Sequence, residues 1–186
     1  DPILSCYDEG KNYPVFSKDD IQQQLTILKN RFVKYNEYAG LTIDEVFTPK
    51  ELEGAKVLYA KNFHSSYVEN LGNGQFKITS LPKESQFSPI HGLCSGDFNK
   101  DGHLDILMGG NFTASRVKFG HYDAIKGICL LGDGSGKFRY LDASESGLMV
   151  SGEVRDIKKV ISFNGEENYV FVRNSDSPKI YKPKLN

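Results

Sequence analysis

Residues 97–105 read Asp97-Phe98-Asn99-Lys100-Asp101-Gly102-His103-Leu104-Asp105. Oxygen-bearing side chains stand at alternate positions, Asp97, Asn99 and Asp101. Gly102 follows at the point of the turn, and Asp105 closes the set. Three carboxylates this close repel one another unless a cation lies between them. A hard cation that takes several oxygen ligands, such as calcium, meets that need. The spacing selects Asp97, Asn99, Asp101, the backbone carbonyl of His103 and Asp105 as metal ligands, with water completing the shell. Without a metal, the same string would be an Asp/Asn/Gly-rich turn.

A helical calcium hand begins the same way but ends with a bidentate glutamate at its twelfth position, which here is Met108. Residues 90–96 before the loop and 106–111 after it are short apolar runs broken by glycine, the pattern of buried strands. The loop is therefore expected to join two β-strands. A calcium sensor built on paired helices is disfavoured on both counts.

The string Gly96-Asp97-Phe98-Asn99-Lys100-Asp101-Gly102-His103-Leu104-Asp105-Ile106 resembles an FG-GAP or VCBS repeat. Residues 63–76 and 81–90, and the upstream stretch from Leu28 to Phe47, are similar to a bacterial group of VCBS-repeat proteins. That group is related to the ASPIC/UnbV and cartilage-acidic-protein propellers, and the resemblance covers most of the chain. It implies blades of an integrin-α-like β-propeller, with calcium in a loop between two blade strands. It also implies a secreted or surface-attached protein, so the expected location is extracellular, periplasmic or at the outer-membrane surface.

Composition narrows the function classes. The 186 residues suffice for a real core. A formal charge of −1, from 23 Lys and Arg against 24 Asp and Glu, gives no support for a nucleic-acid groove or an anionic-membrane patch. No apolar run approaches the length of a membrane span. The chain opens Asp1-Pro2-Ile3-Leu4, without a start methionine or a leader, as a segment of a longer protein would. Cys6, Cys94 and Cys129 stand far apart, which disfavours a zinc knuckle or a redox pair. Cys94 and Cys129, in strand-like contexts, are expected to pack as small hydrophobes.

Outward from the loop, the hairpin signal Leu71-Gly72-Asn73-Gly74-Gln75-Phe76 returns as Leu131-Gly132-Asp133-Gly134-Ser135-Gly136-Lys137-Phe138. Phe76 and Phe138 are 62 positions apart, a period suited to stacked repeats. The second copy has lost its metal loop. Asp156 remains, but Lys158 and Lys159 follow where oxygens are needed, and Asn164-Gly165 makes a plain turn. One calcium site is thus expected; Asp133 and Ser135 align too few oxygens for a second.

Residues 17–60 change character. Ser17 and Asp20 form a helix start, and Ile21, Leu25, Leu28, Phe32 and Tyr35 recur as one helical face ending at Gly40. Thr48-Pro49-Lys50-Glu51 is a second helix start. The apolar face is expected to be core rather than a docking surface. The resulting map is 1–16, the end of a preceding blade; 17–60, a helical insertion; 61–122, a blade with the calcium loop; and 123–186, a second blade with a degenerate loop.

Other chemistry is weak. His64, His91, His103 and His121 do not pair at metal spacings, and no serine sits in a Gly-x-Ser-x-Gly elbow. Gly132, Gly134 and Gly136 lie in a hairpin rather than in a dinucleotide cradle. Asn111-Phe112-Thr113 fits a glycosylation acceptor, but Asn111 reads better as a strand end. The fold expected is mainly β, the C-terminal fragment of a larger antiparallel β-propeller with a small helical insertion. The function expected is a non-enzymatic, calcium-stabilised binding or adhesion module. Its partners would be a protein or glycan ligand and the remaining blades of the parent protein. A propeller-type polysaccharide lyase or hydrolase with structural calcium is the alternative; it needs converging acid and base groups, which the sequence does not reveal.

Overall fold

The structure, a computed structural model, describes residues 2–115, 117 and 120–183. Strands hold 35% of the residues and helices 17%, and every sheet is antiparallel, so the class is mainly β. The chain divides into two compact units, Asp1–Ala60 and Lys61–Asn186. Among the described residues no helix is long and apolar enough to cross a membrane.

The first unit opens with a hairpin of β1 (Ser5–Asp8) and β2 (Lys11–Pro14). Its turn residues Glu9 and Gly10 both have positive φ, 45° and 85°, which matches the twist of a two-residue hairpin. Helix α1 (Lys18–Gln24) follows, with Ser17 as its cap accepting from the Asp20 N–H at 3.3 Å. Short helices α2 (Ile43–Val46) and α3 (Pro49–Leu52) complete the unit. At Thr48 the expected cap forms: the Glu51 carboxylate accepts the Thr48 N–H at 2.8 Å and the Thr48 hydroxyl accepts the Glu51 N–H at 3.3 Å. Glu51 also takes both arms of Arg31, at 3.0 and 2.8 Å, and Arg31 reaches the Val46 carbonyl at 2.7 Å.

The long helix expected from the apolar spacing is broken. At Leu25 the backbone turns extended (φ −124°, ψ 91°), and the chain continues as a 3-10 turn over Thr26–Lys29. Buried Gln22 supplies the reason: its carboxamide donates to the Leu28 carbonyl at 3.1 Å and to the Phe32 carbonyl at 2.7 Å, satisfying the backbone of a bend that a straight helix would not contain. Ile21, Leu28 and Phe32 still point inward and join Tyr38, Val46 and Phe47 in the core, while Tyr35 is exposed. Ile3 and Phe16, from the segment before the helix, pack against the same core.

The second unit is mainly β. Strands β3 (Ser66–Gly72) and β4 (Gln75–Ser80) form one hairpin. Strands β5 (Ile90–Gly96), β6 (Asp105–Gly110), β7 (Ile128–Gly132) and β8 (Phe138–Leu141) form a four-stranded meander in sequence order. After the short helix α4 (Ala143–Ser146), β9 (Val154–Ile161), β10 (Glu167–Arg173) and β11 (Lys179–Tyr181) form a three-stranded sheet. The meander spans residues 90–141 and so runs across the 122/123 boundary suggested by the repeat. Asp1 and residues 184–186, the outer ends of the first and last expected segments, lie outside the described residues.

Leu107 and Cys129 from the meander meet Val154, Ile157, Tyr169 and Phe171 from the three-stranded sheet in the main core. Two glycines let β9 come this close. A Cβ on Gly109 would stand 2.7 Å from the Val154 side chain, and one on Gly92 would stand 3.1 Å from the Asp156 backbone. In the second repeat copy, β9 runs unbroken through Lys158 and Lys159, and the chain turns only at residues 162–166.

Candidate metal centre

The 97–105 loop joins β5 to β6, as the sequence leads one to expect, and its base is the ladder pair Gly96 and Asp105. Lys100 and Gly102 have φ of 62° and 88°, and these left-handed residues curl the loop so that its N–H groups face its own acidic side chains. Asp97 accepts the Asp101 N–H at 3.1 Å on one oxygen and the Gly102 N–H at 2.9 Å on the other. Asp101 accepts the His103 N–H at 2.8 Å and the Asn99 carboxamide N–H at 2.8 Å. The Asn99 oxygen accepts the Asp101 N–H at 3.2 Å. The Asn99 hydrogen bond first, then the His103 N–H, hold the Asp101 carboxyl below the usual range, so it is ionised at neutral pH.

Phe98 anchors the loop from below. It is 5% exposed and stacks edge-to-face on Tyr169 with centroids 5.0 Å apart. Truncating a buried Phe costs roughly 3–5 kcal/mol, more than any one exposed hydrogen bond of the loop contributes.

Asp105 differs from the other expected ligands. Its side chain is fully buried. One oxygen accepts the Phe98 N–H at 2.8 Å and the other the Gly132 N–H at 2.9 Å, from β7. The structure thus gathers Asp97, Asn99 and Asp101 at the surface and sets Asp105 beneath them as a strut to the neighbouring turn. Among the described residues no three Asp, Glu, His or Cys side chains gather around one point. The donor set of the expected site is the exposed carboxylates of Asp97 and Asp101, the Asn99 carboxamide oxygen, the buried carboxylate of Asp105 and a main-chain carbonyl. Each of these oxygens keeps a lone pair beyond its N–H contact, which is hard-cation chemistry. The imidazole of His103 is exposed and lies against Gly134, where a Cβ would stand 2.5 Å from Nδ1. His103 therefore offers the loop its main chain alone.

The turn after β7 lies beside the loop. Asp133 accepts the Ser135 N–H and hydroxyl, both at 2.8 Å, and the Lys137 N–H at 3.2 Å. These contacts, Ser135 foremost, lower its pKa.

No family model, curated protein or solved structure matches this chain. The functional reading consequently rests on the residues themselves.

Two further features are long-range: Glu153 carries no local sequence signal, and Asn111 only that of a strand end. Glu153, 6% exposed, accepts the Thr113 N–H and hydroxyl, Asn174 at 2.9 Å and Arg155 at 2.7 Å, tying β9 to two loops. The Thr113 contacts, followed by Asn174, hold its carboxyl down to about 2. Asn111 is 1% exposed; its carboxamide donates to the carbonyls of Ile125 at 2.7 Å and Gly152 at 3.0 Å, so it is a buried bracket after β6 rather than a glycan acceptor. Cys6, Cys94 and Cys129 are all free thiols.

Proposed function

We propose that this chain is part of a calcium-stabilised β-propeller serving as a non-enzymatic binding or adhesion module, secreted or at the cell surface. The ion would be held by Asp97, Asn99, Asp101, the His103 carbonyl and Asp105, with water. The observation that carries this reading is the loop: side-chain oxygens of Asp97, Asn99 and Asp101 at alternate positions, pre-set by backbone N–H groups, between two strands of a four-stranded antiparallel sheet. FG-GAP repeats, which the loop resembles, carry calcium between two blade strands. The meander β5–β8 has the strand number of one blade. On this reading β3–β4 and β9–β11 belong to adjacent blades, and the remaining blades of the ring are partners of this segment.

Calcium has a structural role here. It relieves the repulsion of Asp97 and Asp101, replaces the Asn99–Asp101 hydrogen bond, and fixes the exit of β5 relative to β6. Binding to the folded state alone stabilises by about 2.7 kcal/mol at one hundred times Kd, or roughly 10 °C in a domain of this size. Thermal melting with calcium and with a chelator tests the reading. The wild type should gain that shift and Asp101→Ala should lose it; a wild type indifferent to calcium rejects the metal site.

A further inference from the structure

The sheets of the second unit pack face on face. Cross-strand partners share a face, so the residues of the meander divide into two sets. Leu107, Cys129 and Leu141 on one face meet the inner face of β9–β11, where Ile157, Tyr169 and Phe171 are buried. Leu130, Phe138 and Tyr140 lie on the other face. There Tyr67 of the β3–β4 hairpin packs edge-on against Phe138 with centroids 5.4 Å apart, and Leu81, just after β4, joins the same cluster.

The outer faces of the two end sheets are apolar and exposed. Val68 pairs with Ile78 across the hairpin, and Phe76 lies on the same face opposite Asn70. Val68, Phe76 and Ile78 are each more than half exposed. Their counterparts 62 positions on are Leu130, Phe138 and Tyr140, the residues that the hairpin helps to cover. The repeat thus indicates what belongs on Val68, Phe76 and Ile78: the face of another sheet. At the far end, Ile180 pairs with Val170, and Val160 and Val172 share their face. Ile180, Val160 and Val172 are exposed. Neither face brings net charge to a contact, because Lys158 on the second is paired with Asp156 of the same face at 3.0 Å. A stack of repeats that ends in solvent needs a polar outer face, and these two end sheets lack one.

We propose that the hairpin face of one copy of this chain docks on the outer β9–β11 face of a second copy, head to tail. A neighbouring blade of a ring would meet the same two faces; a second copy supplies the matching sheet from the chain itself. One chain carries both halves of the contact, so the pairing is heterologous and propagates into a ring or a filament. The proposal goes beyond the calcium reading and uses the sheet faces alone. Sedimentation velocity of the full chain over a concentration series, in chelator, is the test. The wild type should associate as concentration rises. Ile78→Lys on the hairpin and Ile180→Lys on β11 replace exposed side chains, so both should keep the wild-type melting midpoint. Each variant alone should stay monomeric, its self-association weakened at least tenfold, because it retains one half of the contact. Their equimolar mixture should form a dimer and nothing larger. A monomeric wild type overturns the proposal. Wild-type association by either variant alone also overturns it, since that marks a like-with-like or an unspecific contact, and so does a mixture of folded variants that stays monomeric. Phe76→Lys and Val172→Lys serve as a second pair should either variant unfold. Each of these failures leaves the calcium site standing.

Discussion

Replacing Asp105 by alanine separates two roles that the loop spacing alone cannot distinguish. Asp105 is fully buried, and its two oxygens accept the Phe98 N–H at 2.8 Å and the Gly132 N–H at 2.9 Å. Alanine leaves both donors without a partner. Each orphaned buried donor costs about 1–3 kcal/mol, so together they cost about 2–6 kcal/mol. In a domain of this size that lowers the melting midpoint by roughly 8–24 °C. Asp105→Asn keeps one acceptor and sets an NH₂ against the other N–H, so it should recover about half of the loss. The assay is calorimetric melting in chelator, where no calcium contributes. Asp105→Ala melting within about 2 °C of wild type under those conditions would refute the strut. A loss seen only with calcium present would make Asp105 a ligand and nothing more.

Other outcomes follow from the same contacts. Glu153 and Glu51 both have carboxyls held down to about 2, Glu153 chiefly by Thr113 and Glu51 chiefly by Arg31. Their folded pKa values lie below the unfolded value of about 4.5, so their contribution is complete above that pH and is lost as pH falls toward about 2. Denaturant melts across that window should show stability dropping, and Glu153→Gln should flatten the slope. Gly109→Ala drives a Cβ to 2.7 Å from Val154, whose side chain is buried, and should cost about 1–3 kcal/mol by denaturant titration. Burial pushes the Cys129 thiol up to about 12, so a thiol reagent should modify exposed Cys6 at once and Cys129 only on unfolding.

Much of the second unit was legible in the sequence because its signals are local. Gly72-Asn73-Gly74 and the glycine-rich run after Gly132 announce hairpins, and Met108 with its apolar neighbours announces a strand. The Thr48 cap was equally local. Spacing also selected the buried residues of the first unit but not the path between them. A 3-10 turn and a bend braced by Gln22 bring Leu28 and Phe32 to the same core that a straight helix would have reached. The 62-residue period marked equivalent strands without saying where one sheet ends, because the pairing of β6 with β7 joins the two copies. At the site, alternating oxygens were readable, yet the second task of Asp105 depends on an N–H 27 positions away. Glu153 was invisible for the same reason: its partners Thr113 and Asn174 lie 40 and 21 positions away.

Calcium stoichiometry tests the central claim most directly. Equilibrium dialysis against radioactive calcium at neutral pH should find one ion bound per chain of wild type and none on the Asp97→Ala/Asp101→Ala double variant, which keeps Asp105 and hence the fold. Failure of the wild type to bind calcium, or equal binding by the double variant, would contradict a metal site at residues 97–105.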